Sequence, residues 1–218
     1  MFKTCQGAWF DATQKLVNAP IVTSRDLKNG EIVTTSTKEL LSYQFQVSDP
    51  RQRLIWSRPV SVPFMMVEVL WIMSGRNDLE FLEFWNPRIK TWSEEGHFYG
   101  AYGARLGNQF LYLDYSNQSG LKNRRKASEM DDSMPHGYTA QLYDAFQTFL
   151  NIPHSRQVVL NIYDYLTDAP ENFGQPRSND VPCNIVAMPK VRDGKLYWTQ
   201  IMRSNDLIWG TPYNIFRS

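Results

Sequence analysis

The sequence has few of the residues that several common kinds of site require. It contains only two cysteines, Cys5 and Cys183, so no disulfide framework is expected and a reducing, cytoplasmic setting fits better. Its three histidines show no metal-ligand spacing, and no His-x-Glu motif precedes a Cys-x-x-Cys pair. A zinc deaminase is therefore disfavoured, and no metal site is expected. No Gly-rich phosphate loop of the P-loop or dinucleotide-binding type occurs either.

Long apolar runs and an excess of charge are absent too. No run of about 18 apolar residues occurs, so no membrane-spanning helix is expected. Residues 1–10 lack a basic flank followed by a long apolar stretch, so no signal peptide is expected. The 23 basic and 22 acidic residues give a net charge of +1, so no global field steers the protein toward nucleic acid or a membrane. Local basic clusters can still bind a small anion.

Size and aromatic content indicate a domain with a substantial core. The chain has 218 residues, enough for one such domain and few for two, so a single domain over 1–218 is predicted. Aromatic residues make up 14%, with 7 tryptophans and 11 tyrosines. Such rings fill cores and also line pockets for planar ligands.

Hydrophobic patterning predicts both helices and strands. Helical segments are predicted at 7–18, 65–74, 79–85 and 138–150. Extended segments are predicted at 32–47, 156–163, 183–191 and 195–202. Asp193-Gly194 joins the last two as a hairpin. The remaining predictions are a turn with close backbone approach at 100–104, a mobile loop at 114–137, a loop at 168–182 and a helix that starts near the C-terminus.

Cys183 is the most informative residue, because other reactive groups are predicted beside it. A lone cysteine is most often a small buried hydrophobe. Here Pro182 fixes the adjacent backbone, and a hairpin centred on 193–194 pairs residues whose numbers sum to about 387. This register brings Arg203 and Ser204 close to Cys183. A nearby guanidinium favours the thiolate, which is the nucleophilic form of cysteine.

Two further segments carry groups that suit a nucleotide. Arg203 and Ser204 offer a planar cation and a hydroxyl, which together suit a phosphate. The alternative is a solvated edge residue, with Arg203 in a surface ion pair to Asp206. The amide of Asn214 can match N3–H and C4=O of uracil, whereas a carboxylate there would suit the amino edge of cytosine. Its alternative is a helix N-cap or a satisfied core amide.

Glu68 is the charged residue that least fits its surroundings. It lies in the apolar helical segment from Val67 to Trp71, where a charge is costly unless it is paired or functional. The alternative is a partly exposed glutamate on the outer face, for which the apolar neighbours leave little room. Glu68 is therefore a candidate for proton transfer.

Taken together, these segments resemble the thymidylate synthase / deoxycytidylate hydroxymethylase family. The likeness runs from about Arg25 to the C-terminus. It rests on Glu68-Val69-Leu70-Trp71 with Ser74-Gly75, Tyr102-Gly103, Ser155-Arg156, Pro182-Cys183, Arg203-Ser204-Asn205-Asp206, and Gly210 through Asn214.

The resemblance implies a fold, a reaction and a set of site residues. The fold is a layered α+β domain, with a mixed β-sheet and helices, that forms a homodimer through its sheet. Cys183 would add to C6 of a pyrimidine nucleotide monophosphate, and C5 would take a one-carbon unit from 5,10-methylene-tetrahydrofolate. The residues implied for the phosphate are Arg25, Arg203, Ser204 and, acting across the dimer interface, Arg156. Those implied for proton transfer or for orienting base and folate are Glu68, Tyr102, Asp206 and Asn214.

The sequence departs from the family pattern at several positions. Asn184 follows the cysteine where the family's synthases usually have histidine. Gln157 and Met202 stand where a second arginine and a glutamine are expected. The tryptophan expected in the 88–92 region is displaced, with Lys90 near its place and Trp92 beyond. In synthases that region shields the one-carbon intermediate so that a hydride reduces it to methyl, whereas a wetter site lets water add and gives hydroxymethyl.

Three functions follow as expectations. The first is conversion of dUMP to dTMP, and the second is hydroxymethylation of dUMP or dCMP. The third is a non-catalytic nucleotide-binding protein, because the family continues past this length with a segment that holds the sugar and a C-terminus that closes over the folate. A reading frame that continues past Ser218 would favour the enzymes over the third.

Overall fold

The fold is taken from a computed structural model, which describes residues 1–28, 31–107, 112–113, 124–125, 140–170 and 177–217. The chain forms two compact units. The first comprises residues 1–66, 166–179 and 204–218, and the second comprises 67–165 and 180–203. The loop predicted at 114–137 lies outside the described residues, except for 124–125. Within the described ranges, no helix is long and apolar enough to cross a membrane.

The first unit begins with helix α1, Cys5–Val17. Its N-cap is Thr4, whose hydroxyl oxygen accepts the N–H of Gly7 at 3.1 Å and so satisfies a donor of the first turn. Trp9 is buried, whereas Val17 is exposed. The unit also contains strands β1, Ile21–Lys28, and β2, Glu31–Lys38, which pair antiparallel. Strand β1 was not predicted, and the extended segment predicted at 32–47 forms a strand only as far as Lys38.

The second unit contains both helices and strands. Helix α2, Val62–Met73, begins in the first unit and continues into the second, and Gly75 follows it with a φ of 66°. The next elements are α3 (Glu80–Glu83), a 3₁₀ helix (Pro87–Trp92), α4 (Tyr102–Gly107), β3 (Tyr112–Leu113), β4 (Arg124–Arg125), α5 (Ala140–Asn151), β5 (Leu160–Asn161), α6 (Tyr165–Asp168, at the unit boundary), β6 (Asn184–Arg192) and β7 (Lys195–Met202). Helix α7, Gly210–Arg217, belongs to the first unit.

The central sheet of the second unit has the order β5-β6-β7, and its strands run antiparallel. A buried cluster lies between this sheet and helices α4 and α5. Its members are Leu106, Ala145, Val158, Leu160, Ile162 and Ala187, with Tyr102, Leu142 and Phe149 packed against them. Helices with antiparallel sheets confirm the α+β class.

The predicted hairpin is confirmed in both position and turn chemistry. Asp193 and Gly194 connect β6 and β7, with φ angles of 50° and 69°. Two successive residues in the left-handed region match the twist of the flanking strands, as in a two-residue hairpin loop. From Val186↔Ile201 to Arg192↔Lys195 the paired numbers follow the predicted register.

Two local predictions differ from the structure. The segment 156–163 forms a strand only at Leu160–Asn161. The N–H of Gln157 instead bonds the hydroxyl of Ser155 at 3.2 Å, a local bond that competes with strand pairing. The turn predicted at 100–104 contains the start of helix α4, because tertiary contacts override the weak helix preference of glycine.

Candidate active site

Cys183 lies immediately before strand β6, and its free thiol is half-buried. The preceding Pro182 is buried. The backbone carbonyl of Cys183 accepts the N–H of Arg203 at 2.9 Å, which fixes the residue at the end of the β6–β7 ladder. The thiol is thus neither sealed in the core nor loose on the surface, as a nucleophile requires.

A β-bulge directly after Cys183 sets its partner on β7. Asn184 pairs with Met202 but Val186 pairs with Ile201, so Ile185 is an extra residue. The carbonyl of Ile185 accepts the N–H groups of Ile162 and Tyr163, at 2.9 and 3.0 Å, so the bulge is bonded to the neighbouring segment. The bulge shifts the predicted register by one residue, which places Cys183 opposite Arg203.

The side chain of Arg203 binds the segment that carries the nucleophile. Its Nε donates to the carbonyl of Pro182 at 2.9 Å, and its Nη2 donates to the carbonyl of Val181 at 2.8 Å. A guanidinium has five N–H donors, and the others of Arg203 make no hydrogen bond to the described residues. The exposed guanidinium is therefore oriented beside Cys183 with donors left for an anion.

Glu68 and Tyr102 lie on two elements of the second unit that pack closely. Glu68, on α2, is only 8% exposed, so the buried position predicted for it is confirmed. Tyr102 begins α4 and is partly buried. A Cβ on Gly103 would lie 2.3 Å from the carbonyl oxygen of Ile72, which is one turn beyond Glu68 on α2. Only glycine permits this approach, which brings the Tyr102 turn against the helix of Glu68.

Asn184 occupies the position after the nucleophile as a buried polar residue. It is 2% exposed, and its Oδ1 accepts a hydrogen bond from Nε2 of Gln200 on β7. The indole N–H of Trp198 in turn donates to Oε1 of Gln200 at 3.1 Å. These hydrogen bonds fix the side chain of Asn184. Asparagine is not ionisable, whereas the histidine usual at this position in the family's synthases is.

In the first unit, Asp206 caps the helix that carries Asn214. Its carboxylate accepts the N–H groups of Trp209 and Gly210, and its carbonyl accepts the N–H and hydroxyl of Thr211 at 2.7 and 3.0 Å. These bonds satisfy donors at the start of α7. Ser204 is exposed just before this cap. The surface ion pair between Arg203 and Asp206 that was the alternative is not among the described ion pairs.

The amide of Asn214 is buried and oriented by a neighbour. Its Nδ2 donates to Oδ1 of Asn205 at 2.8 Å. A Cβ on Gly210 would lie 3.2 Å from that oxygen and 3.4 Å from Nδ2, so glycine leaves room for the pair. The bond assigns which end of the amide is the donor. Asn214 is therefore held in one orientation, as recognition of a base edge requires.

The segment 204–217 is anchored on other parts of the first unit. The indole N–H of Trp9 donates to the carbonyl of Leu207 at 2.8 Å, and Nη1 of Arg53 donates to the carbonyl of Phe216 at 3.3 Å. Tyr213 packs edge-on against Phe64, with ring centroids 5.7 Å apart. Helix α1 thus helps to position the segment predicted to bind the base.

Two other residues, Arg25 and Arg156, were predicted to bind the phosphate. The backbone of Arg25 lies in β1 opposite Thr34, and its side chain lies outside the described part of the chain. Arg156 is exposed before β5, and its carbonyl accepts a hydrogen bond from Nζ of Lys190 at 3.3 Å. Neither is joined to Cys183 or Arg203 by a described contact. Within the described ranges, no group of three or more His, Cys, Asp and Glu residues could hold a metal ion.

Asp180 was not predicted as part of the site. It lies three residues before Cys183 in a segment read only as a loop, and its carboxylate accepts the N–H of Gly100 at 2.9 Å. Burial raises its pKa to about 6, although the Gly100 N–H and the charge of Arg105 both lower it. Its closeness in sequence to Cys183 was the available signal, but burial is not readable from a segment rich in polar residues.

The chain is similar in sequence to several known proteins. The chain is 30% identical over 196 residues to a deoxyuridylate hydroxymethyltransferase of Bacillus phage SP01, covering 87% of this chain and 46% of that protein. It is 30% identical over 165 residues to another of Pseudomonas phage M6, covering 74% and 38%. A thymidylate synthase of Vesicomyosocius okutanii is 24% identical, with 83% and 59% covered.

A solved structure and a family model agree with these relatives. The thermostable thymidylate synthase A from Bacillus subtilis matches with a TM-score of 0.50 and 23% identity, over 74% of this chain and 49% of that one, which supports the fold. The chain spans less than half the length of the phage relatives it matches. The family model described as thymidylate synthase matches residues 13–218. The chain therefore belongs to the thymidylate synthase family.

Proposed function

We propose that this protein transfers a one-carbon unit from 5,10-methylene-tetrahydrofolate to C5 of dUMP. The observation that carries the proposal is the half-buried thiol of Cys183, held beside the oriented guanidinium of Arg203. The thiolate adds to C6 of the uracil, which moves the C5=C6 electron pair to C5 and onto the C4 carbonyl. C5 then bonds to the one-carbon unit and the C5 proton leaves. The folate nitrogen departs with the electron pair of its bond to that carbon, which leaves an exocyclic methylene at C5. Addition of water or of a hydride to this methylene, followed by elimination of the thiolate, restores the ring.

Arg203, Glu68 and Tyr102 are the groups proposed for this chemistry. Arg203 binds the phosphate with the N–H groups that its backbone contacts leave, because a guanidinium can serve several oxygens at once. Glu68 and Tyr102 transfer the protons, since Glu68 is buried and Tyr102 is partly buried on packed elements. Their shielding limits competing proton exchange with bulk water.

Other residues are proposed for recognition of the nucleotide. Ser204 and Arg25 add donors to the phosphate, and the oriented amide of Asn214 selects uracil over cytosine. Asp206 acts on the base or folate through the helix start that it caps. By capping the start of α7, Asp206 helps to position Asn214, which lies about one turn into that helix.

The first unit also has side chains that fit the folate. Trp209 is 63% exposed, and the guanidinium of Arg58 lies 4.5 Å from the centre of its ring. An exposed indole beside a cation suits a ligand with flat rings and carboxylates. The folate supplies the one-carbon unit and, in a synthase, the hydride.

The product favoured by these observations is the 5-hydroxymethyl nucleotide. Two phage relatives at 30% identity are named deoxyuridylate hydroxymethyltransferases, whereas the named thymidylate synthases are 22–24% identical. Trp92, the displaced tryptophan of the segment that would shield the intermediate, is itself exposed. A site open to water lets water add to the exocyclic methylene at C5. Thymidylate is the second candidate, in line with the more distant relatives.

The product can be identified directly. Protein incubated with dUMP and ¹³C-labelled methylene-tetrahydrofolate is expected to yield a nucleotide whose mass carries the added carbon and one oxygen from solvent. The same assay in H₂¹⁸O must then add two mass units. A product with the mass of dTMP would support the second candidate, and unchanged dUMP would contradict one-carbon transfer.

The protein is also proposed to act as a homodimer through its sheet. Strand β7 exposes apolar residues on both of its faces, with Leu196 and Trp198 on one and Tyr197 and Ile201 on the other. Such a surface on an edge strand favours a partner. Arg156 lies at the same sheet, near Lys190 of β6, and would complete the partner's phosphate site.

Mixing two inactive variants tests this arrangement. Cys183→Ala and Arg156→Ala are each expected to be inactive or strongly impaired as homodimers. A mixed dimer keeps one complete site, so an equimolar mixture exchanged at random should recover roughly a quarter of wild-type activity. No recovery, with mixed dimers demonstrated by mass, would contradict the role of Arg156 across the interface.

A further inference from the structure

One peptide group in the second unit joins a buried arginine to a partly buried aspartate. The carbonyl of Tyr99 accepts hydrogen bonds from Nε and Nη2 of Arg105, at 3.3 and 3.0 Å. The N–H of Gly100, the other end of the same peptide, donates to Oδ2 of Asp180 at 2.9 Å. A cation at the oxygen and an anion at the N–H polarise the peptide in the same sense, so each bond strengthens the other.

The arginine end of this chain of bonds is fixed in the core. Arg105 is 3% exposed, and its Nη1 donates to the carbonyl of Ile162 at 3.0 Å. Its guanidinium also lies 5.2 Å from the ring centre of Tyr99. Ile162 belongs to the buried cluster of the sheet. The position of the Tyr99–Gly100 peptide is thus set by the most buried part of the second unit.

The aspartate end lies against the backbone of the turn. A Cβ on Gly100 would be 2.2 Å from the carbonyl oxygen of Asp180 and 3.3 Å from its Oδ2. Only glycine allows the two segments to approach this closely. Asp180 is three residues before Cys183, and Gly100 is two residues before Tyr102. The contact therefore joins the segment of the nucleophile to the turn of the tyrosine.

We propose that Asp180 is a positioning residue that, with Arg105, holds the Cys183 segment against the Tyr102 turn. The inference rests on the proposed function, which assigns roles to Cys183 and Tyr102. A carboxylate serves this purpose better than a neutral side chain, because hydrogen bonds to a charged acceptor are shorter and stronger.

The titration of Asp180 gives the contact a pH dependence. The pKa of its carboxyl is raised from 3.8 to about 6, because burial outweighs the Gly100 N–H and the charge of Arg105, which both lower it, and the nearby carboxylate of Glu94 adds a smaller increase. Because the folded-state pKa exceeds the unfolded value, the protonated form stabilises the fold, and this contribution is lost as the pH rises through about 6. At neutral pH the carboxyl of Asp180 is therefore charged, although this charge lowers the stability of the folded state. Such a loss of stability is typical of functional groups.

Glycine-selective ¹⁵N NMR measures the contact without any reaction. In wild type the amide of Gly100 is expected to shift with a midpoint near pH 6, reporting the carboxylate that it faces. Asp180→Asn should abolish this titration, whereas Asp144→Asn, which removes an exposed carboxylate on α5, should leave it unchanged. A Gly100 amide that does not titrate, or that titrates equally in Asp180→Asn, would overturn the proposal.

Kinetics separate positioning from a purely structural role. Asp180→Asn is expected to lower the rate of C5 hydrogen release from dUMP about tenfold while dUMP affinity stays within about twofold. Asp180→Ala should lose more, since asparagine retains an acceptor oxygen for Gly100. The wild-type rate should fall below pH 6 and that of Asp180→Asn should lack this limb. Equal rates and pH profiles in wild type and both variants would contradict the inference, whereas a wild type with no activity would contradict only the proposed function.

Discussion

Replacing Cys183 with alanine is expected to lower tritium release from C5-labelled dUMP at least about a thousandfold. Without sulfur addition at C6, the C5 carbon is not nucleophilic, and its hydrogen has no path to solvent. The hydrogen bond from the N–H of Arg203 to the carbonyl of Cys183 and the bulge at Ile185 hold the nucleophile in place, and neither depends on the sulfur itself. The variant is therefore expected to fold and to bind dUMP.

The matched control is Cys5→Ala. Cys5 is the only other cysteine of the chain, and its thiol is buried on helix α1. Burial raises its pKa, so it is a poor nucleophile and acts as a small apolar residue. Tritium release should persist in this variant. Loss of release in Cys5→Ala with retention in Cys183→Ala would reverse the assignment of the nucleophile.

Replacing Arg203 with alanine should weaken dUMP far more than deoxyuridine. Hydrogen bonds to a charged group contribute about 1.5–3 kcal/mol, or about 10- to 150-fold in affinity. The nucleoside lacks the phosphate, so the difference between the two ligands isolates that interaction. Calorimetric titration of both ligands measures it. A loss for dUMP below about 0.5 kcal/mol relative to deoxyuridine would contradict a phosphate role.

Arg203→Lys separates two parts of the role of this arginine. Lysine keeps a positive charge but lacks the planar set of donors that bonds Pro182 and Val181. Phosphate affinity is expected to recover in part, whereas the rate of tritium release should stay low because the Cys183 segment loses two anchors. Arg192→Ala, at the far end of the same strand pair, is the control and should affect neither quantity.

The elements that the sequence predicted well are those with local chemical causes. The β6–β7 hairpin follows from Asp193-Gly194, which accept left-handed backbone angles that few other pairs tolerate. Helix α2 ends near Gly75 for the same reason. The neighbourhood of Cys183 and Arg203 was predictable because it follows from the register of that hairpin.

The features that were missed depend on contacts distant in sequence. The bulge at Ile185 is stabilised because its carbonyl accepts hydrogen bonds from two N–H groups of another segment. No pattern in the sequence of β6 predicts it. Helix α4 forms where a turn was predicted, because Gly103 lies against the backbone of α2. Asp180 gains its raised pKa mainly from burial, which a polar loop sequence does not reveal.

The roles of individual residues were reached mainly through family resemblance. The residues alone indicated a nucleophile beside an anion site, but they did not indicate C5 chemistry or folate. The structure adds restraints on these groups, such as the Asn205 bond that orients Asn214 and the helix cap of Asp206. Capping was a considered alternative for Asn214, and it is Asp206 that caps the helix.

Mass spectrometry with 5-fluoro-dUMP tests most directly whether Cys183 is the nucleophile. A fluorine at C5 cannot leave as the proton does, so the adduct of sulfur, nucleotide and one-carbon donor should accumulate. With 5,10-methylene-tetrahydrofolate present, the intact mass is expected to rise by both ligands, and peptide mapping should place the addition on Cys183. Folded protein that binds the nucleotide but gains no mass, or that carries the addition on Cys5, would contradict this account.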